Sequence, residues 1–430
     1  QSTPGLRHDL MACLEQAERG AAIELPRLGE RDVNDRFNIP ETLYGREAEI
    51  EALLAAFERV SDGHCEVAVV AGYPGIGKSA LVRELYRPIT RQRGYFIAGK
   101  FDQFNRNTPY SSLLQAFRSL VRQLLAEPAE QVAEWRRLLL AALGSIGQVL
   151  IRVIPEVELI VGPQPEVPEL RPEDAHNRFN LLVQSFIRVF TTPAHPLVLF
   201  LDDLQWADHA SLELLEVLCS SSLTGSLLVI VAHRSNEVDV SHPVLMTMDR
   251  IRRSGARFTD VQLGPLGRDD VAALLASTVH CTPAEAAPLA ELVRDKTGGN
   301  PFFVGEFLRH LHDDGLIELD RGNCRWHWDL EQIRARNITE NVVELMAQKV
   351  RELEGSAQGV LKLAAVLGSR FDLRSVALTS DQSTAAVARA LWQALQAGFI
   401  TPVGEGIALL NLDVEAAEAP VFELRFTHDR

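Results

Sequence analysis

At 430 residues, 46% of them hydrophobic, the chain is long enough for two to four compact units and has the apolar side chains to give each a core. Its 43 Lys and Arg stand against 58 Asp and Glu, a net charge of -15, which argues against broad attraction to nucleic acid or to an anionic membrane surface. Five scattered cysteines form no CxxC pair and have no histidine at metal-ligand spacing, so a reducing, cytoplasmic setting without zinc is expected, and no apolar run approaches the roughly 18 residues of a membrane helix.

Residues 5–20, GLRHDLMACLEQAERG, set Leu6, Leu10 and Leu14 four apart, the stripe of a short amphipathic helix ended by Gly20. A polar link follows, giving a helix and linker over 1–42. The pattern then changes to helices alternating with β-branched runs: EVAVVAG, GYFIAGKFD, HPLVLFLDD, SLLVIVAHR and RFTDVQLGPL. Such alternation predicts a parallel sheet with helices on both faces, an α/β core over 43–263. Within it, PEVELIVGPQPEVPELRPED carries Pro155, Pro163, Pro165, Pro168 and Pro172, too many for a helix or a central strand, and reads as a surface excursion. Helical signals dominate beyond 264, interrupted by a hairpin at 316–328 with its turn at Arg321-Gly322-Asn323, so a helical subdomain is expected over 264–336. ITENVVELMAQKVREL, AQGVLKLAAVLG and TAAVARALWQALQAGFI, followed by the strand-like GIALLNLDV and VFELRF, outline a winged-helix domain over 337–430. Because it begins at Gln1 and ends amid patterned sequence, the chain reads as a portion of something larger, with processing as the alternative.

The chemistry is concentrated in VVAGYPGIGKSALV. Gly72, Gly77, Lys78 and Ser79 have the spacing G-x-x-x-x-G-K-S between a β-branched run and a helical pattern, a P-loop in its required context. Gly72, Gly75 and Gly77 let the backbone curl so that its N–H groups point inward, and the following helix adds its positive end. The cofactor-binding set is therefore Gly72, Gly75, Gly77, Lys78, Ser79 and Ala80, with Lys78 neutralising β/γ-phosphate charge and Ser79 ligating Mg²⁺. In LVLFLDDLQWADHAS an apolar strand ends in Asp202 and Asp203, at the sheet edge where open α/β sheets bind ligands. Asp202 suits the Mg²⁺ shell, and Asp203 would orient or deprotonate the attacking water. Paired acids after a strand also make helix-capping turns, but a P-loop upstream favours catalysis. Asp208 is expected to cap the next helix and Trp206 to pack. Arg234, ending the next strand, would sense the γ-phosphate, or else pair with Asp202 or a loop acid. No N-K-x-D signature appears, so ATP is expected rather than GTP.

Taken together, LYGREAEIEAL, the P-loop, FLDDLQWAD, HRSNEV and TGGNPFFVGEFL resemble the AAA-like signal-transduction ATPases with numerous domains, the STAND class. More closely they are similar to the ATPase module of large bacterial and fungal hybrid kinases, in which a Ser/Thr kinase-like domain precedes the module and sensor and histidine kinase domains follow. GKFDQFNRNTPYSSLLQAFRSL is similar to a stretch typical of those proteins, while no kinase catalytic motif is present here. The resemblance implies an ATP/ADP- and Mg²⁺-dependent switch with slow hydrolysis, partnered by the neighbouring kinase and sensor domains. It implies that Arg46 contacts the nucleotide near its base or ribose, and that Pro301 of Gly299-Asn300-Pro301 packs on the adenine from the helical subdomain. It also implies that His428, in the closing FELRFTHDR, reaches the β-phosphate of ADP from the winged helix. A frayed tail is the alternative for His428.

Two rivals remain in view. An AAA+ ATPase of the origin-recognition type also joins a P-loop core to a winged helix, but residues 337–430 hold 8 Lys and Arg against 12 Asp and Glu, a poor face for DNA. A non-hydrolysing scaffold is the other, against which stands the complete set Lys78, Ser79, Asp202 and Asp203. DRIRRSGAR, with Arg250, Arg252, Arg253 and Arg257, reads either as a solvated basic face or as an arginine finger serving a neighbouring copy, which would require self-association.

Overall fold

The computed structural model describes residues 10, 11, 13, 14, 16, 37–103, 108–220, 225–320, 325–335, 347, 350, 351, 353–368, 370–403 and 423–426. Two compact units divide the chain: residues 1–101 with 105–338, and residues 102–104 with 339–430. Among the described residues, no helix is long and apolar enough to cross a membrane.

The first unit opens with α1 (Glu47–Ser61), β1 (Cys65–Gly72), α2 (Lys78–Arg83), α3 (Tyr86–Arg91), β2 (Tyr95–Lys100), α4 (Ser111–Leu125) and α5 (Ala129–Leu143). The short α6 (Gly147–Ile151) and α7 (Glu158–Val161) lead to α8 (Pro172–Arg188), β3 (Leu197–Asp202), α9 (His209–Ser220), β4 (Leu227–Arg234), α10 (Pro243–Arg253) and β5 (Arg257–Leu263). The five strands form one sheet in the order β2-β3-β4-β1-β5, and every pairing is parallel. The β-branched runs form these strands because both faces of a parallel sheet are covered, which removes the need for a polar side. Val67, Val69, Leu199, Leu201, Val229 and Val231 meet Leu113, Phe117, Phe186 and Leu215 on one face. Ala68, Val70, Val198, Phe200, Leu228 and Ile230 meet Leu53, Phe57, Leu81 and Val82 on the other. The α/β P-loop core expected from the sequence is therefore present, with five strand ends along a single edge.

The proline-rich stretch is not a surface excursion throughout. Pro155–Val157 makes a 3-10 turn, α7 follows, and Ile154, Val157, Ile160 and Val161 join the same core as Phe117. Proline at the start of a helical turn gives up an N–H that would have had no partner, so Pro155 begins structure rather than preventing it. Only 162–171, with Pro163, Pro165 and Pro168, lacks regular structure.

After β5 come α11 (Arg268–Val279), α12 (Pro283–Thr297) and α13 (Pro301–Asp313). The antiparallel pair β6 (Ile317–Asp320) and β7 (Arg325–Trp328) and α14 (Leu330–Ala335) complete the unit. The expected turn at Arg321-Gly322-Asn323 lies outside the described residues. In the second unit, α15 (Gly355–Leu367), β8 (Arg370–Asp372), α16 (Leu373–Ser380), α17 (Thr384–Gln396), β9 (Ile400–Pro402) and β10 (Glu423–Phe426) enclose a core of Val360, Phe371, Val376, Leu391, Ile400 and Leu424. Its sheet runs β8-β10-β9, antiparallel on both sides of β10. The expected strand GIALLNLDV lies outside the described residues.

Candidate functional site

Parallel pairing brings the carboxyl ends of the strands together: Gly72 lies opposite Arg234, and Lys100 opposite Asp202. The P-loop leaves β1 here and enters α2, whose N-cap is Gly77. Gly75 and Gly77 have φ of 76° and 100°, in the region that strains any residue with a Cβ. A Cβ on Gly77 would meet nothing within 4 Å, so its glycine answers to the backbone alone. On Gly75 it would also sit 2.9 Å from the Cβ of Phe302. Gly72 differs, having ordinary backbone but Ile76 and the Leu263 carbonyl crowded against it.

Lys78 is buried, and its ammonium donates to the carbonyls of Gly72 at 2.9 Å and Tyr73 at 3.1 Å. Ser79 Oγ donates to Asp202 Oδ2 at 2.8 Å across 123 residues of sequence, and Ala80 follows in the first turn of α2. Adjacent ligands of an octahedral Mg²⁺, with bonds of 2.0–2.1 Å, stand about 2.9 Å apart. The Ser79–Asp202 spacing therefore fits two neighbouring ligands of one such cation. Among the described residues, no group of three or more His, Cys, Asp or Glu is placed to hold a metal by itself, so such a cation would need further oxygens from phosphate and water.

Beside this pair, Asp203 is buried with a left-handed backbone, φ 52° and ψ 43°. Its Oδ1 accepts from Arg234 Nε at 3.1 Å and Gln205 Nε2 at 2.9 Å, and its Oδ2 lies 3.4 Å from Lys100 Nζ. Arg234 is itself held by Glu237 at 2.9 Å and lies 4.5 Å from the centre of the Trp206 ring. So the loop acid that pairs with Arg234 is Asp203, together with Glu237. Asp208 caps α9 through the Ser211 N–H at 2.8 Å.

Arg46 is buried at the start of α1, where its guanidinium donates to the Gly264 carbonyl just past β5 and lies 3.6 Å from Glu49. Pro301 is half-buried in the first turn of α13, but the direct contact with the P-loop comes from its neighbours. Asn300 Nδ2 donates to the Pro74 carbonyl at 2.9 Å, while Asn300 Oδ1 accepts from Phe302 N at 3.1 Å and so caps α13. The Phe302 N–H also reaches the Gly75 carbonyl at 3.3 Å. His428 lies outside the described residues. The arginines of α10 are engaged on the surface: Arg250 with Glu216 at 2.7 Å, Arg252 with Asp260 at 2.8 Å, and Arg253 with Asp249.

The sequence reading names no role for Lys100, Gln205, Glu237 or His233, and names Asn300 only as the middle residue of Gly299-Asn300-Pro301. Lys100 and His233 could have been found as polar residues at the carboxyl ends of apolar strands, and Asn300 as the capping residue before a proline-led helix. His233 is buried, and among the described residues its Nδ1 has no hydrogen-bond partner. Burial pushes its imidazole below the usual histidine range; a hydrogen bond to the Arg234 backbone opposes this, and the charges of Lys78 and His242 add to it.

Residues 42–230 match the family model of the AAA ATPase domain, and residues 284–325 match a domain of unknown function. Hybrid signal transduction histidine kinase G of Dictyostelium discoideum is 32% identical over 420 residues, an alignment covering 83% of this chain and 12% of the relative. Peroxide stress-activated histidine kinase mak3 of Schizosaccharomyces pombe is 22% identical, with 87% and 19% covered. The chain thus spans less than a fifth of the length of these relatives. Among solved structures, Cdc6p from Pyrobaculum aerophilum aligns at 13% identity and a TM-score of 0.39 over 86% of this chain and 90% of that one. Drosophila ORC bound to DNA aligns at 14% and 0.40 over 96% and 95%. With its P-loop, its five-stranded parallel sheet and this match, the span 42–230 belongs to the AAA ATPase domain family, as an AAA-like P-loop module in a chain related to hybrid histidine kinases.

Proposed function

We propose that the chain binds ATP and ADP with Mg²⁺, hydrolyses ATP slowly, and acts as a nucleotide-controlled switch within a larger multidomain kinase. The observation that carries this reading is the 2.8 Å approach of Ser79 to Asp202 at the mouth of the P-loop, with the buried Asp203–Arg234 pair beside it. In this reading the backbone from Gly72 to Ala80 cradles the phosphates and Lys78 leaves the carbonyls of its own loop to meet them. Bound between Ser79 and Asp202, Mg²⁺ would neutralise charge on the β- and γ-phosphates. Asp203 orients the attacking water and Arg234 senses the γ-phosphate. Arg46 lies toward the base or ribose and Pro301 toward the adenine, with α11 to α13 as the helical lid. The second unit serves as the winged helix. The neighbouring kinase and sensor domains are the partners; nucleic acid and membrane are not.

Asp203→Asn tests the reading. Asparagine keeps an oxygen that can accept from Arg234 and Gln205, and Glu237 still pairs with Arg234, so the fold should survive. The expected result is retained nucleotide binding with hydrolysis reduced by about 100-fold or more. Hydrolysis at the parental rate would remove Asp203 from the mechanism.

A further inference from the structure

We infer that Asn300 is a positioning residue for phosphate binding: it holds the Pro74–Gly75 peptide from behind and so turns the Gly75 N–H toward the hollow of the P-loop. The inference rests on the P-loop taking nucleotide phosphates, as proposed above. Asn300 divides its amide between two tasks. Oδ1 accepts from the N–H groups of Phe302 at 3.1 Å and Phe303 at 3.5 Å. Those bonds require the oxygen on that side of the amide, so the NH₂ group lies on the other, where it donates to the Pro74 carbonyl at 2.9 Å. The donor is thus oriented by the helix it caps, before any ligand arrives.

Among the described residues no peptide bond is cis, and a trans peptide carries its carbonyl and its N–H on opposite sides of one plane. Fixing the Pro74 carbonyl against α13 therefore fixes the Gly75 N–H away from it. The Gly75 carbonyl faces α13 as well, through the Phe302 N–H at 3.3 Å. With Gly75 left-handed at φ 76°, two successive carbonyls turned outward leave the inner side of the turn to N–H groups, the arrangement that binds anions. The Ile76 N–H, next along, closes on the Tyr73 carbonyl at 3.3 Å, so Gly75 carries the N–H whose direction Asn300 sets. The approach is close: a Cβ on Gly75 would stand 3.0 Å from Asn300 Oδ1 and 2.9 Å from the Cβ of Phe302. Without the Asn300 donor the peptide is free to rotate, and a hydrogen bond to charged phosphate is weakened. Losing part of such a bond corresponds to about tenfold in affinity.

Gly5 and Gly75 are the two glycines that follow a proline. Labelling the whole chain with carbonyl-13C proline and 15N glycine therefore isolates the Gly75 amide signal, that of Gly5 being identified by its loss in Pro4→Ala. ADP with Mg²⁺ should be titrated into the parent, Asn300→Ser, Asn300→Thr and Thr282→Ala. Serine and threonine keep a capping oxygen for α13 but do not reach Pro74, while Thr282→Ala removes the cap of α12 and leaves Asn300 untouched. The expected result is that ADP moves the Gly75 signal downfield in the parent and in Thr282→Ala, with equal affinity. Asn300→Ser and Asn300→Thr should bind ADP about tenfold more weakly, with a smaller shift at saturation. Parental affinity and shift in the folded Asn300 variants, an equal loss in Thr282→Ala, or a Gly75 signal that ADP leaves unmoved in the parent would each overturn the inference and leave the nucleotide reading intact. Failure of the parent to bind ADP at all would overturn both.

Discussion

His233 shows how one buried side chain links the site to pH. Its imidazole is kept neutral in the folded chain, chiefly by burial. An unfolded histidine titrates near about 6.5, so the unfolded chain takes up a proton first as pH falls. The stability held by the neutral ring is therefore complete above about 6.5 and is lost progressively below it, toward the lowered folded value. The melting temperature should fall between pH 7.5 and 5.5, and His233→Gln, which cannot take the proton, should flatten that fall. Parallel curves for the two proteins would show that the acid limb belongs to other groups. The place of His233 near the end of an apolar strand is legible in the sequence, whereas its resistance to protonation is not, because that comes from surroundings that folding assembles. Lys78 and Ser79 are legible because the whole G-x-x-x-x-G-K-S spacing lies within eight consecutive residues, whereas the Asn300 contact with Pro74 spans 226 residues and leaves no local trace.

Among the elements, the junction between the P-loop and α13 is the most consequential. One side chain does two jobs there, with Asn300 capping α13 through Oδ1 and reaching Pro74 through Nδ2. Asn300→Ser keeps a capping oxygen but loses the reach to Pro74, and Asn300→Ala loses both. Urea unfolding should place Ser about 1 kcal/mol below the parent and Ala about 2 kcal/mol below, given typical values for a hydrogen bond and an N-cap. Equal loss in the two variants would mean that the cap contributes nothing. The strands were legible from their β-branched runs and the parallel sheet from the alternation. The segment 155–161 was not, because proline count alone ignores where in a turn each proline sits and that Val157, Ile160 and Val161 fall on one side.

For the molecule as a whole, the acidic balance and the short span of its relatives point the same way. A net charge of -15 leaves little attraction for phosphate polymers, and the relatives are several times longer than the stretch that aligns with this chain. A nucleotide can move neighbouring domains only to the extent that it binds two arrangements with different affinity, so the proposed switch stands or falls on binding at this P-loop. The most direct measurement is calorimetric titration of ATP and ADP into the parent and into Lys78→Ala, with Mg²⁺ and with a chelator. The prediction is a single nucleotide per chain in the parent, weaker ATP binding without Mg²⁺, and no binding by folded Lys78→Ala. Absence of binding in the parent, or equal affinity in Lys78→Ala, would contradict it.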